Sequence, residues 1–439
     1  MKPLALGEGN EVSVQDVAKL GIGLLGCGVV GQGVVRLVAK HPTLRLVAVA
    51  VRDAGRDRGL DPSLITTDPH QVVDHPEVRI VVEVMGGLEP ARTLVLRALG
   101  QGKHVVTANK ALLAHHGREI LEAARAHGVE VYFEAAVGGG IPVIMPLKRG
   151  LAANAIQRVS GIINGTTNYI LTRMAQDGDT FGAALGEAQR LGYAEADPTA
   201  DVGGYDAAHK LAILASILSG AFVPLGAIYR EGIERLTPKD LAYARELGYA
   251  VKLLGIARRV GDRLEARLHP AMIPLSHPLA RIDGVTNAVT VVGDAVGEVT
   301  FSGPGAGSLP TASAVVGDVL NIAEAVTSGT PPSRLMDGLA AHEARVVPIS
   351  EVETAYYLRL VTEDMPGVLG AVGSLFGGRG VSIRYFVQKE VRDGLAELVF
   401  VTHAGREQAF MEALDAIKAL GALREVAALI RVEEDANGR

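Results

Sequence analysis

The residues best suited to chemistry lie in one stretch, Leu191-Gly-Tyr-Ala-Glu-Ala-Asp-Pro-Thr-Ala-Asp-Val-Gly-Gly-Tyr-Asp-Ala-Ala-His-Lys210, which carries Glu195, Asp197, Asp201, Asp206 and one lysine. Asp206 and Lys210 stand four apart at the start of a helical pattern, so they share a face that continues through Ile213, Leu214 and Ile217. A lysine at the head of an apolar stripe either snorkels to water or is held partly out of it beside its carboxylate, and the second placement suits proton transfer. Asp197-Pro198 and Gly203-Gly204 are turn signals. They predict a loop carrying Glu195, Asp197 and Asp201 into the helix, with all four carboxylates converging on Lys210. The plainer alternative is a surface helix with an ordinary Asp–Lys pair and a solvated acidic loop.

The elements that must position this stretch begin near the amino terminus. Residues 21–25 form a short apolar run leading into Gly26-Cys27-Gly28-Val29-Val30-Gly31-Gln32-Gly33, with a helical pattern over 34–39. Strand, G-x-G-x-x-G, helix is the order in which glycines seat a dinucleotide pyrophosphate on a helix N-terminus. A second apolar run at 46–51 completes a βαβ unit and is followed by Arg52, Asp53, Arg56 and Arg58. An acidic residue at that strand end binds a ribose 2′-hydroxyl, whereas arginine suits a 2′-phosphate. The arginines favour NADP(H), and Asp53 keeps NAD(H) open. Charged residues also occur at strand ends with no such role.

Further runs at 80–84, 104–107 and 129–133 alternate with helix-like segments at 90–99 and 111–126, the rhythm of a doubly wound parallel sheet. Ligands gather at strand ends in such sheets, which points to Met85-Gly86-Gly87 and Thr107-Ala-Asn-Lys110. Lys110 taken alone is equally a solvated lysine opening a helix. Glu134-Ala-Ala-Val-Gly-Gly-Gly-Ile-Pro142 is either a hinge or a loop offering backbone carbonyls to a cation. Residues 159–168 read as a strand turning at Asn164-Gly165, where backbone and Thr166 can meet a polar substrate, although such a turn needs no substrate. Strands at 285–292 and 295–301 lead into Gly303-Pro-Gly-Ala-Gly307 and a helix around 314–325 that returns the chain toward the cofactor. Residues 329–333 look like a linker. From 355 onward the order is βαββαβ, a ferredoxin-like unit.

Composition bounds what this assembly does. The 439 residues exceed one core, and 48% hydrophobic with 21% charged is globular. A net charge of −6 without a basic run argues against nucleic acid and for small-molecule partners. Cys27 is the only cysteine, so neither a disulfide framework nor a cysteine-rich zinc site is expected. The start lacks the apolar core of a signal peptide, which predicts a cytoplasmic protein. Residues 211–229 carry no charge, but Ser216, Ser219, Gly220 and Pro224 break the run, so a buried helix ending near Gly220 is expected rather than a membrane span.

On these residues the chain resembles homoserine dehydrogenase over nearly its whole length. The most specific match is 192–210; Thr107-Ala-Asn-Lys110, Asn164-Gly-Thr-Thr167 and Gly303-Pro-Gly-Ala-Gly307 agree in order and spacing, and Asp364-Met-Pro-Gly-Val-Leu369 opens a tail similar to an ACT domain. With no aspartate-kinase segment ahead of it, the chain looks like the monofunctional form. The resemblance implies NADP-linked interconversion of L-homoserine and L-aspartate 4-semialdehyde, a step toward threonine, methionine and isoleucine. Lys210 would donate and accept the proton, with Lys110 placing cofactor and substrate. Glu195 would grip the substrate ammonium, Asp201 and Asp206 would hold the lysine, and Gly165, Thr166 and Tyr193 would line the pocket. Gly26, Cys27, Gly28, Val29, Val30, Gly31, Arg52, Gly86, Thr107, Lys110 and Gly305 would meet the dinucleotide. Carbonyls near Glu134, Val137, Gly139 and Ile141 would hold Na+ or K+.

The expected fold is α/β: a Rossmann domain at 1–148, an α/β substrate and oligomerisation domain at 149–310, a return helix and linker at 311–345, and an ACT domain at 350–435. A homodimer or homotetramer is expected, with L-threonine as a candidate effector. Two rivals stand beside this reading: a dehydrogenase of another amino-acid-derived aldehyde, and a non-catalytic amino-acid sensor that keeps the Rossmann unit as scaffold.

Overall fold

The computed structural model describes residues 19–330, 339 and 342–433. The segment read for a signal peptide, most of the expected linker and the last residues of the tail lie outside the described residues.

The first sheet is built from β1 (Leu20–Leu25), β2 (Leu44–Ala50), β3 (Ile65–Thr66), β4 (Ile80–Glu83), β5 (His104–Thr107) and β6 (Val131–Tyr132). They run parallel in the order β3-β2-β1-β4-β5-β6, the doubly wound order expected from the alternating runs. Ile22, Leu24 and Leu25 are wholly buried because helices cover both faces, which is why the strand reads as a continuous apolar run. The helices are α1 (Val29–Val38), α2 (Pro69–Val73), α3 (Ala91–Gly100) and α4 (Lys110–His127).

Beyond helix α5 (Ala135–Gly138), the middle of the chain holds β7 (Ile156–Ile162), α6 (Gly165–Gln176), α7 (Phe181–Arg190), α8 (Thr199–Val202), α9 (Tyr205–Ser219), β8 (Tyr229–Arg230), α10 (Pro238–Glu246), β9 (Tyr249–Val260), β10 (Arg263–Pro274), β11 (Thr286–Gly293) and β12 (Gly297–Pro304). Then α11 (Ser308–Thr327) returns to the first sheet and packs on α1. A Cβ on Gly33 would lie 2.7 Å from the Ala312 Cβ and 2.7 Å from the Ser308 carbonyl oxygen, so the close crossing requires glycine. This helix is long and apolar enough to cross a membrane, yet Ala312, Val315, Val316, Val319 and Ile322 are buried against the sheet. The uncharged run at 211–229 contains the end of α9, which stops at Gly220 in the left-handed conformation as expected.

The tail holds β13 (Glu353–Glu363), α12 (Val368–Gly377), β14 (Ile383–Arg392), β15 (Leu395–Thr402), the two-residue β16 (Gly405–Arg406), α13 (Glu407–Lys418) and β17 (Leu423–Val432). Its order β17-β13-β15-β14 is the ferredoxin-like arrangement. The sequence suggests a unit with its own sheet, whereas in the structure β17 pairs parallel with β10 through Ala271–Arg431 and Met272–Val432, giving one continuous sheet of eleven strands. Buried ion pairs fasten that seam. The Glu433 carboxylate accepts from Arg267 and, at 3.2 Å, from Arg158; Arg431 bonds Glu407 and Glu231; Arg359 bonds Asp240 at 2.7 Å.

Candidate active site

Helix α9 carries Lys210 into the protein rather than to its surface. Ala207, Ala208, Leu211 and Leu214 are buried around it, so the snorkelling alternative fails, and Lys210 is only 9% exposed. Its Nζ donates to Asp206 Oδ2 at 2.7 Å and to the Ile163 carbonyl at 2.8 Å. An ammonium has three N–H groups, which leaves one for a ligand. The other Asp206 oxygen meets Lys110 Nζ at 3.0 Å. One carboxylate therefore bridges two lysines from different units of the chain. Burial alone raises the Asp206 carboxyl, but the Lys210 and Lys110 ammonium groups outweigh it and hold the acid well below the usual carboxylate range.

Asn164, which the sequence marks only as a turn residue, completes this arrangement with its side chain. The expected Asn-Gly turn is instead a helix start: Asn164 is the N-cap of α6, its Oδ1 accepting the Thr167 N–H at 2.8 Å. Its Nδ2 donates to Asp201 Oδ1 at 2.7 Å and to Asp206 Oδ2 at 3.1 Å. Burial raises the Asp201 carboxyl, with the Asn164 bond opposing it.

The expected convergence of four carboxylates on Lys210 is corrected: Asp206 bonds the lysine, and Asp201 joins it only through Asn164. Asp201 sits in the short helix α8 rather than on a loop. Asp197 is exposed and folds back on its own turn, accepting from Thr199 N at 3.1 Å and Thr199 Oγ1 at 2.6 Å. Glu195 is exposed on the adjoining loop, where Gln189 holds its carbonyl at 3.0 Å. Thr166 donates its hydroxyl to the Tyr193 carbonyl at 2.7 Å, joining α6 to the same loop, and the Tyr193 ring meets Tyr169 edge-on. A Cβ on Gly165 would lie 2.6 Å from the Val285 carbonyl oxygen, so the start of α6 is pressed against the strand β11 approach.

At the strand ends of the first sheet, the glycine fingerprint behaves as its spacing predicts. A Cβ on Gly31 would lie 2.3 Å from the Gly26 carbonyl oxygen, which forces glycine where the turn meets the helix. Gly28 has nothing within 4 Å of a Cβ position and Val29 is exposed, so the start of α1 faces open space. Val30 is half-buried behind it. Cys27 is buried; burial pushes its thiol up, and the charges of Arg58 and Arg56 oppose that shift. Arg52 is exposed just beyond β2, and Asp53 turns its carboxylate to the Gly55 N–H at 2.8 Å.

Next to this crevice lies a carboxylate to which no sequence motif points. Glu83, wholly buried at the end of β4, accepts from Thr107 Oγ1 at 2.6 Å, Met85 N at 2.8 Å and Gly86 N at 3.2 Å. Thr107 Oγ1 in turn accepts the Asn109 N–H at 3.0 Å, and Asn109 Nδ2 reaches the Gly87 carbonyl at 2.7 Å.

The three-glycine segment is packed rather than open. A Cβ on Gly139 would lie 2.2 Å from the Gly305 carbonyl oxygen, one on Gly305 would lie 2.0 Å from Asn287 Nδ2, and Gly140 N–H donates to the Pro304 carbonyl at 3.1 Å. The two glycine-rich loops thus touch backbone to backbone. The Glu134 side chain accepts from Val143, Ile144 and Met145 N–H at 2.5, 2.7 and 2.7 Å, where the short helical segment over 144–150 begins, and its own N–H bonds Asp318 at 2.8 Å. With that carboxylate committed to N–H groups, what Val137, Gly139 and Ile141 offer beside it is backbone. Among the described residues no group of three or more His, Cys, Asp or Glu side chains could hold a metal.

A doubly wound sheet with an open fingerprint, set against a buried lysine–carboxylate–lysine bridge, defines a nicotinamide-dependent oxidoreductase. Comparison with known proteins narrows the class. Residues 26–134 match the profile of the homoserine dehydrogenase NAD-binding domain, 142–320 that of homoserine dehydrogenase, and 356–422 that of the ACT domain. A homoserine dehydrogenase of Synechocystis sp. is 49% identical over 405 residues, covering 90% of this chain and 94% of that one. The crystal structure of the Thiobacillus denitrificans enzyme superposes with a TM-score of 0.90 at 46% identity, over 95% of this chain and 98% of that one. A hyperthermophilic archaeal homoserine dehydrogenase solved with NADPH superposes at 0.60 with 26% identity, over 69% of this chain and 97% of that one. The chain belongs to the homoserine dehydrogenase family, oxidoreductases acting on a CH–OH group with a nicotinamide cofactor.

Proposed function

We propose that the chain interconverts L-homoserine and L-aspartate 4-semialdehyde with NADP(H), and that Lys210 handles the proton. The observation that carries this is the Asp206 carboxylate bridging Lys210 at 2.7 Å and Lys110 at 3.0 Å, with Lys210 also fixed by the Ile163 carbonyl. The bound dinucleotide supplies the hydride. Lys210 gives its proton to the oxygen that becomes negative as the aldehyde is reduced, and takes it back in the other direction. Asp206 and Asp201, tied through Asn164, keep that ammonium oriented. Lys110 lies between cofactor and substrate, Glu195 meets the substrate ammonium at the pocket rim, and Gly165, Thr166 and Tyr193 line the pocket through backbone groups. Neither another aldehyde nor a purely sensory role is favoured for a member of this family.

NADP(H) preference is supported by Arg56 and Arg58 near Cys27, by the Asp53 carboxylate being turned into its own loop, and by the NADPH-bound archaeal relative. Na+ or K+ at the carbonyls of the 134–141 segment, L-threonine sensing by the ACT unit, a homodimer or homotetramer, a cytoplasmic location and a place in threonine and methionine synthesis belong to the same proposal. The test is oxidation of NADPH or NADH with L-aspartate 4-semialdehyde. Rapid loss of NADPH absorbance with slower loss of NADH is expected. No oxidation of either, in a protein that binds NADPH, overturns the substrate assignment.

A further inference from the structure

One buried acid near the crevice accepts three hydrogen bonds and has no part in the chemistry above. Glu83 lies opposite Thr107 in the parallel β4–β5 pair, one residue before the chain leaves the sheet. Three loops meet around it. The fingerprint loop abuts it from one side, since a Cβ on Gly26 would lie 3.0 Å from the Val84 carbonyl oxygen. The 85–87 loop contains two consecutive left-handed residues, Gly86 and Gly87, both at φ +75°, a conformation with little intrinsic preference to hold it. Glu83 Oε1 accepts from that loop at Met85 and Gly86, while Asn109 Nδ2 holds the Gly87 carbonyl. The third loop is 107–109: Glu83 Oε2 accepts from Thr107, Thr107 accepts from Asn109 N, and Asn109 Oδ1 caps α4 through the Leu112 N–H at 3.1 Å. Lys110 is the first residue of that helix.

We propose that Glu83 is a positioning residue, fixing Lys110 and the 85–87 loop relative to the cofactor crevice through its bonds to Thr107, Met85 and Gly86. The proposal rests on the reading that Lys110 acts in the reaction. It follows the general pattern in which a buried carboxylate orients the group that touches the ligand while never touching it. Glutamine at 83 keeps the shape but gives only one oxygen. If that oxygen serves Met85 and Gly86, an NH2 faces Thr107 Oγ1, the hydroxyl loses its acceptor, and the link to Asn109 loosens.

The test is a set of full-length variants, Glu83→Gln, Thr107→Val, Thr107→Ser and Lys110→Ala, with the double variant Glu83→Gln/Lys110→Ala. Glu83→Gln is expected to lower kcat about tenfold with NADPH affinity changed less than about threefold. Thr107→Val should reproduce that loss and Thr107→Ser should restore most of it, which keeps the test decisive even when the variant at 83 fails to fold. In the Lys110→Ala background the Glu83→Gln loss should largely disappear, a coupling that a merely structural role would not produce. Wild-type kcat in Glu83→Gln, or an equal loss in both backgrounds, overturns the proposal. Wild-type turnover in Lys110→Ala alone refutes the role of Lys110 itself, a different outcome from the failure of Glu83.

Discussion

Asn164 is the residue whose replacement separates fold from chemistry. It performs two tasks with two atoms: Oδ1 caps α6 through Thr167 N–H at 2.8 Å, and Nδ2 bonds Asp201 at 2.7 Å and Asp206 at 3.1 Å. Asn164→Ala removes both. Losing a cap costs about 1 kcal/mol. Taking a donor from a half-buried carboxylate costs about 1.5–3 kcal/mol. Asp206 keeps its two lysines, so the second cost falls mainly on Asp201, and the sum is about 2.5–4 kcal/mol of stability. Asn164→Ser restores a cap but not a donor that reaches both carboxylates. Its stability should recover by about 1 kcal/mol. Its kcat/KM should stay about 10- to 100-fold low, the kinetic equivalent of the missing carboxylate bond. Urea denaturation and steady-state kinetics on the two variants make the comparison. If Asn164→Ser turns over within about twofold of wild type, Asn164 is a helix cap and nothing more, and the reasoning that joins Asp201 to the site fails.

Two further outcomes follow from the buried charges. Glu433→Gln leaves Arg267 and Arg158 buried at the β10–β17 seam without their carboxylate, at a cost of about 3–5 kcal/mol. A clear drop in melting temperature checks it, and a melt unchanged within about 1 °C contradicts the fused sheet. His104 accepts the Glu130 N–H on Nδ1 at 3.1 Å, and burial, with Arg79 adding, pushes its ring down to about 4 from 6.5. Because the folded value is depressed, this stability is complete above 6.5 and is lost as pH falls toward about 4, by at most about 1.4 kcal/mol per unit. His104→Asn should remove that slope in urea midpoints taken at pH 7.5 and 5, and parallel curves for both proteins would falsify the assignment.

The parts of this molecule legible in the sequence are those imposed by local geometry. Gly26 and Gly31 are dictated by a single turn, and Asp206 with Lys210 stand one helical turn apart, so spacing alone picks them out. The βαββαβ rhythm of the tail is equally local. What escaped depends on chain segments meeting from far apart. Asp197 and Asp201 look alike as residues, and only the approach of Asn164, 37 positions upstream of Asp201, brings one of them into the site while the other closes its own turn. Glu83 ends an ordinary apolar strand, and its meaning appears only once Thr107 stands beside it. Glu134 sits in a segment read for its backbone, while its side chain accepts a backbone N–H nine residues on. The two-residue β10–β17 pairing has no periodicity to betray it, although Arg431 and Glu433 are polar residues at the end of a strand where an exposed edge would need neither to be buried.

The central claim is that Lys210 moves the proton. Lys210→Ala leaves Asp206 paired with Lys110 and Asn164, so the fold around it should persist. The most direct measurement is NADPH oxidation with L-aspartate 4-semialdehyde by this variant beside the wild type, with NADPH binding measured on both. Retained binding with turnover lowered by about 100-fold or more is the expected result. Turnover within about threefold of wild type contradicts the account and moves the acid–base role to another group in the pocket.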